Sequence, residues 1–197
     1  WVMGWADLLL KIGLPYQSPE ALKLAEEVME FVTAQASETS EALAKEKGPF
    51  PSLGESIYKN TPRRNAVVTT IAPTGTISLI AGCSSGIEPN FAFAIHRKNV
   101  LGGTDLFDVN PVFKAKVLAL KDGESLIEKA SRGESMQSVG PEFVTSQEID
   151  PQVHVRMQAA FQKYTENAIS KTVNLPNKAT EEDVRKIFLL AHKLGCK

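Results

Sequence analysis

The sequence predicts an α/β fold with parallel strands, and three observations carry that prediction. "NAVVTTI" at residues 65–71 is a β-branched run followed, beyond Pro73, by an apolar helical stretch near Ile77 to Ala81. "SKTVNLP", from Ser170, repeats the arrangement: a short strand stopped by Pro176, then a helix opening at Thr180. Strands that each run into a helix pair side by side through crossovers, which makes them parallel. Two strands cannot close a sheet, however, and the chain stops where a further strand is due. It also opens at Trp1 rather than Met, so the expectation is a segment of something longer.

The elements follow in order. Residues 1–12 place Met3, Ala6, Leu9 and Leu10 on one face of a short helix. Ser18 then offers a cap and Pro19 a first-turn proline, and Leu22, Ala25, Val28, Met29 and Val32 mark an apolar stripe running toward Lys45. Prolines and glycines make residues 48–60 a loop. After the strand at 65–71 and the helix behind it, a loop leads to a weaker extended segment around Phe91 to Val100. Residues 102–150 are mixed in composition, with one helix from about Pro111 to Lys121, and read as peripheral to the core. Asp150 and Pro151 open the next helix, with Val153, Met157, Ala160, Phe161 and Tyr164 on one face. Thr180 and Asp183 form a capping box for a last helix through Val184, Ile187, Phe188 and Ala191 that ends at Gly195.

Composition narrows the function. With 43% apolar residues, 23% charged residues and a formal charge of −1 over 197 residues, nothing favours nucleic acid or a membrane surface. Any anionic ligand must be bound locally. No apolar run reaches the ~20 residues of a bilayer span. Cys83 and Cys196 are far apart in sequence and form no C-x-x-C pair, which fits a reducing cytoplasm and argues against a zinc knuckle. His96, His154 and His192 are dispersed, so they read as surface or core side chains rather than metal ligands. Cys83 reads as a buried, inert thiol, Glu88 as a carboxylate orienting a turn or a ligand, and the Arg63-Arg64 pair as a solvated strand start.

One stretch carries chemistry. In "TIAPTGTISLIAG" a strand gives way to a helix through Thr74, Gly75, Thr76, Ile77 and Ser78, with no lysine or arginine. Unpaired N–H groups at a helix start, the positive end of the peptide dipoles, and nearby hydroxyls together hold phosphate, and Gly75 permits close approach. The glycine-bracketed spacer and Gly-Lys pair of a P-loop are missing. A plain strand-to-helix turn with a threonine cap has the same composition, so the stretch alone leaves both readings open.

Four blocks read together bear on the choice: "VMGWADLL" at 2–9, "RRNAVVTTIAPTGTISLIAGCSSGIEPNF" at 63–91, "MQAAFQKYTENAISKTVNLP" at 157–176, and the closing "VRKIFLLAHKLGCK". In this order they resemble the C-terminal half of the catalytic barrel of ribonucleotide reductase, closest to the adenosylcobalamin-dependent class II enzymes. Residues 102–150 are the least familiar part. The resemblance implies a partial ten-stranded α/β barrel in which 65–72 and 171–175 are strands. It also implies that Thr74, Gly75, Thr76, Ile77 and Ser78 donate amides and hydroxyls to the phosphates of a ribonucleotide di- or triphosphate.

The family reaction replaces the ribose 2′-OH by hydrogen through a cysteine thiyl radical, with electrons from a second cysteine pair. Adenosylcobalamin as cofactor, a thioredoxin-like reductant, the rest of the barrel and a homodimer are what the resemblance implies for the complete enzyme. The family's radical and electron-donating cysteines precede the "MGWADLL" block, so no catalytic residue is expected in this segment. Two alternatives stand beside this reading: the class I large subunit, which the lack of a Tyr-Tyr pair disfavours, and a non-catalytic nucleotide-binding or structural module derived from the barrel.

Overall fold

The computed structural model describes residues 2–100 and 103–197, with the backbone alone at 97–100 and 104–106; Trp1 and the Leu101-Gly102 pair lie outside the described residues. Helix α1 (Trp5–Ile12) leads into the long α2 (Pro19–Lys47), and a 3-10 turn (Leu53–Glu55) follows. Then come α3 (Gly75–Ala81), strands β1 (Ala94–Val100) and β2 (Thr104–Val109), α4 (Pro111–Leu118), α5 (Gly123–Ser131), α6 (Pro151–Gln162) and α7 (Glu181–Lys193).

Local chemistry starts these helices where the sequence places them. Ser18 Oγ accepts from the Ala21 N–H at 3.1 Å, with Pro19 in the first turn of α2. Asp150 accepts from the Gln152 N–H at 2.7 Å to open α6. Thr180 and Asp183 close a reciprocal capping box on α7. α3 begins at Gly75, two residues ahead of its predicted start, α4 stops short of Lys121, and α5 was not anticipated.

The sheet departs from expectation. The predicted parallel strands 65–71 and 171–175 form no ladder; extended chain meets at one parallel bridge, Ile71 to Ile169, two residues before the second predicted strand. Asn167 N–H donates to Thr69 O at 3.1 Å and Ser170 N–H to Ile71 O at 3.0 Å. A parallel pair is the less stable ladder per residue and is normally held between further strands, which these segments lack among the described residues. The regular sheet is instead the antiparallel β1–β2 hairpin, with Ala94 opposite Val109 and a register shift between Arg97 and Val100.

Two apolar centres lie side by side. Trp5, Leu9, Met29, Ile71, Ile87, Met157 and Phe161 belong to the first, where Trp5 meets Phe161 edge-on at 5.0 Å. Ala21, Ala25 and Met29 of α2 share it with Met157, Ala160 and Phe161 of α6. Leu10, Phe93, Phe113, Val117, Leu126 and Phe143 build the second, so residues 102–150 pack around a core that they share with Leu10 of α1 and Phe93. Leu9 serves one centre and its neighbour Leu10 the other, which makes α1 the hinge-pin between them. Its Gly4 and Asp7 also reach the loop behind α3, and that contact positions the candidate site.

Candidate functional site

Extended chain ending at Ile71 delivers Pro73 and Thr74 to the start of α3. Thr74 sits in the left-handed region at φ 55°, ψ 26°, the single non-glycine residue with positive φ among the described residues. A side chain there is strained. Thr74 is nonetheless 7% exposed, and its Oγ1 accepts the Gly86 N–H at 2.7 Å. Its hydroxyl oxygen is engaged with the protein rather than turned outward.

Ser78 is likewise engaged. Its N–H donates to Thr74 O at 2.9 Å, and its hydroxyl, 3.0 Å from Gly75 O and 2.8 Å from Ser85 Oγ, is buried. Gly75, Thr76 and Ile77 are exposed. As first-turn residues they have no intrahelical carbonyl to bond, so their N–H groups are left out of the helix ladder. A Cβ placed on Gly75 meets nothing within 4 Å, which shows open space in front of the turn. The five residues are therefore together, but they divide into an outward set (Gly75, Thr76, Ile77) and an inward set (Thr74, Ser78).

The loop 82–90 behind the turn is tied down from two sides. From α1, the buried Asp7 carboxylate accepts the Ser84 N–H at 2.7 Å and the Asn110 Nδ2 group at 2.8 Å, while Gly4 N–H donates to Ser84 O at 2.8 Å. From beyond α6, Lys171 Nζ donates to Glu88 Oε2 at 2.5 Å, and the Thr172 N–H donates to Glu88 Oε1 at 2.6 Å. Lys171 also reaches His154 Nδ1 at 3.2 Å, and His154 Nε2 lies 3.1 Å from Ser146 O. That geometry is neutral imidazole with its proton on Nε2. Burial, aided by the Lys171 charge, depresses His154 to about 4. Burial also lowers Lys171, although Glu88 opposes the shift.

Between α3, this loop and β1 runs a cleft of about 400 Å³ with a mixed lining, polar at Asp7, Asn90 and Asn110 and apolar at Leu79, Phe93 and Ile95. A second arm of about 360 Å³ continues past Glu88 to Thr172 and Asn174. Both arms adjoin the inward side of α3; Gly75, Thr76 and Ile77 line neither and open to the surface. Cys83 is half-buried and borders the cleft, where the sequence suggested a buried thiol.

Arg63 also corrects its expected role. Rather than starting a solvated strand, it is 3% exposed and grips Glu166 through both carboxylate oxygens, at 2.6 and 3.2 Å. Tyr58 OH and the Val68 N–H complete the carboxylate's shell at 3.0 and 2.6 Å. Burial alone would raise the Glu166 carboxyl; Arg63, Val68 and Tyr58 together outweigh it and hold it below the ordinary range. This staple fixes the two extended segments beside each other. The Lys171–Glu88 pair escaped sequence reasoning. Its one signal was a lone lysine at the head of an otherwise uncharged strand, a charge that burial forces to find a partner.

The fold defines a class before it defines a family. It matches the alpha subunit of the Actinobacillus ureae class Id ribonucleotide reductase with a TM-score of 0.79 at 22% identity, over 100% of this chain and 36% of that one. The sequence profile described as "Ribonucleotide reductase, barrel domain" matches residues 2–63 and 52–197, and the chain belongs to that family. Relatives named vitamin B12-dependent ribonucleoside-diphosphate reductase are 45% identical in Thermoplasma acidophilum and 46% in Mycobacterium tuberculosis, in each case across 100% of this chain. The chain spans 27% and 29% of their respective lengths.

Proposed function

We propose that this chain is a barrel segment of an adenosylcobalamin-dependent ribonucleotide reductase and supplies the corner that grips the substrate's phosphates. The observation that carries the reading is the outward first turn of α3, Gly75 to Ile77, in a chain whose relatives are named B12-dependent reductases. Gly75, Thr76 and Ile77 donate main-chain N–H groups to phosphate oxygens, and the Thr76 hydroxyl adds a side-chain donor. The peptide dipoles favour the anion without a lysine. Thr74 and Ser78 support this turn from behind, since their hydroxyls and the Ser78 N–H are already bonded.

A ribonucleotide held by its phosphates is fixed at one end, and its ribose is then presented to the reacting groups in one orientation. Anchoring of this kind contributes to rate as well as affinity, because a misplaced sugar loses the near-attack geometry. When bound, adenosylcobalamin supplies the radical that the ribose chemistry requires. Among the described residues no cluster of three His, Cys, Asp or Glu side chains is arranged to hold a metal. Cys83 and Cys196 are not the reacting cysteines of this reading.

The remaining barrel covers the apolar faces left open here, Leu79 and Ile80 on α3 and Phe188 on α7. The bridged segments at Ile71 and Ile169 are the start of its parallel sheet. A thioredoxin-like dithiol reductant, a homodimeric assembly and a cytoplasmic location complete the reading.

The test uses the full-length protein that carries this sequence. Gly75→Asp combined with Thr76→Val places a negative charge in open space before the turn and removes one donor. The loss of hydrogen bonds to a charged group, about 1.5–3 kcal/mol each, should raise the KM for CDP by at least about tenfold in adenosylcobalamin-dependent reduction. An unchanged KM removes the phosphate site, and no cobalamin-dependent reduction by the unmodified protein removes the enzyme.

A further inference from the structure

We propose that Lys171 is a positioning residue for turnover: its buried ammonium ties together three walls of the cleft arm past Glu88 and holds Thr172 and Asn174 facing into it. The inference rests on the reductase reading but not on the phosphate corner. An ammonium has three N–H donors, and each of those on Lys171 goes to a different wall. One bonds Glu88 Oε2 of the loop at 2.5 Å, one bonds Thr172 O of the extended segment at 3.0 Å, and one bonds His154 Nδ1 at 3.2 Å. His154 carries the third bond onward, since its Nε2 donates to Ser146 O at 3.1 Å. Glu88, Thr172 and Ser146 all line the arm, whereas the Lys171 side chain is 0% exposed and lies behind it.

The chain alternates here. Ile169 and Lys171 point into the protein, so Thr172 and Asn174 lie on the lining of the arm. Both follow the parallel bridge at Ile169, and the carboxyl ends of parallel strands are where α/β folds hold their ligands. The polar lining is Ser85, Asn90, Thr172 and Asn174 beside Glu88, with no lysine or arginine among the described residues; it suits the uncharged part of a ligand rather than a phosphate. Ser146 Oγ, buried and without a hydrogen-bond partner among the described residues, borders the same space. Stability alone does not account for the ion pair, because exchanging a buried pair for apolar side chains of similar size is often neutral or stabilising. What apolar side chains cannot do is hold Thr172 by its C=O, on Lys171, and by its N–H, on Glu88 Oε1 at 2.6 Å. Removing one partner would strand a buried charge, so the test removes both.

Adenosylcobalamin-dependent reduction of CDP and thermal melts are measured on the full-length protein for Lys171→Met with Glu88→Leu, Lys171→Met with Glu88→Gln, and Asn174→Leu. The first double variant should melt like the parent yet lose at least about tenfold in kcat with KM within about threefold, the split expected of a ligand that is bound but misaligned. Glu88→Gln keeps an acceptor for the Thr172 N–H, so the second double variant should recover kcat to within about threefold of the parent. Asn174→Leu narrows the arm without touching the ion pair and should lower kcat by at least about tenfold with an unchanged melt. Parent-like kcat in the first double variant or in Asn174→Leu overturns the positioning role. So does a loss confined to KM, or an equal loss of kcat in both double variants. If the first double variant does not fold, Asn174→Leu decides by the same criterion. No cobalamin-dependent reduction by the unmodified protein removes the reductase reading, whereas an active parent whose arm tolerates these changes removes this inference alone.

Discussion

At the scale of single residues, what was legible was what chain neighbours determine. "PTGTIS" announces a strand-to-helix turn because Pro, Gly and hydroxyl residues shape their own backbone, and Thr74 through Ser78 do form that turn. The division of labour within it was not legible, since the partner of Thr74 lies 12 residues on and that of Asp7 lies 77 residues on. His154 belongs to the same hidden layer. Fully buried against Lys171, with Glu88 and Asp150 as the nearby carboxylates, it stays neutral with its folded pKa depressed to about 4 from 6.5. A depressed histidine pKa means that the unfolded chain binds the extra proton first. The stabilisation is complete above about pH 6.5 and is lost as pH falls through about 4, amounting to about 3 kcal/mol over that window. Urea unfolding between pH 4 and 7 should show His154→Gln with a visibly flatter acid slope than the parent; parallel profiles would mean that His154 does not carry the acid sensitivity.

At the scale of elements, capped helices were readable and the parallel pairing was not, although the extended segment expected around Phe91 to Val100 does hold β1, Ala94–Val100. Ser18, Asp150 and Thr180 each cap a helix with atoms at most three residues away, so sequence contains both partners of the bond. A parallel strand has its partner a hundred residues off, as Ile71 has in Ile169, and β-branched composition at 65–71 reports only that the chain is extended. The α4–α5 corner was missed for a related reason. Gly123 reads as a helix-weakening residue, yet a Cβ there would clash with the Val117 carbonyl oxygen and crowd Leu118 Cα. Glycine is required by approach, not by φ. Gly123→Ala should therefore destabilise by about 1–3 kcal/mol through overpacking, against the gain of up to about 1 kcal/mol that helix propensity alone predicts. A thermal melt decides the sign, and a higher midpoint would show that the corner relaxes freely.

At the scale of the whole molecule, the two apolar centres coexist with large apolar side chains that nothing described here covers. Ile80 is 82% exposed, Phe188 is 72% exposed and Leu79 60%, on the two helices α3 and α7. Single exposed apolar residues are ordinary; pairs on a helix face beside an extended segment with an open edge are the surface of an interface. The α7 stripe of Val184, Ile187, Phe188 and Ala191 contributes no buried residue. Periodicity identifies an apolar face, but it cannot tell whether the partner lies within these residues or beyond them. If the partner is the rest of a reductase barrel, residues 1–197 produced alone should associate through these faces. A formal charge of −1 gives little electrostatic repulsion to prevent it. Light scattering behind size exclusion at tens of micromolar should then show species larger than the 21.5 kDa chain, shifting toward monomer in Ile80→Lys, Phe188→Lys. Both positions are solvent-facing, so the substitutions leave the two cores intact and the shift reports the faces themselves. A monodisperse monomer for the unmodified segment would mean that these faces need no covering, and the barrel-segment reading would lose its physical support at this scale.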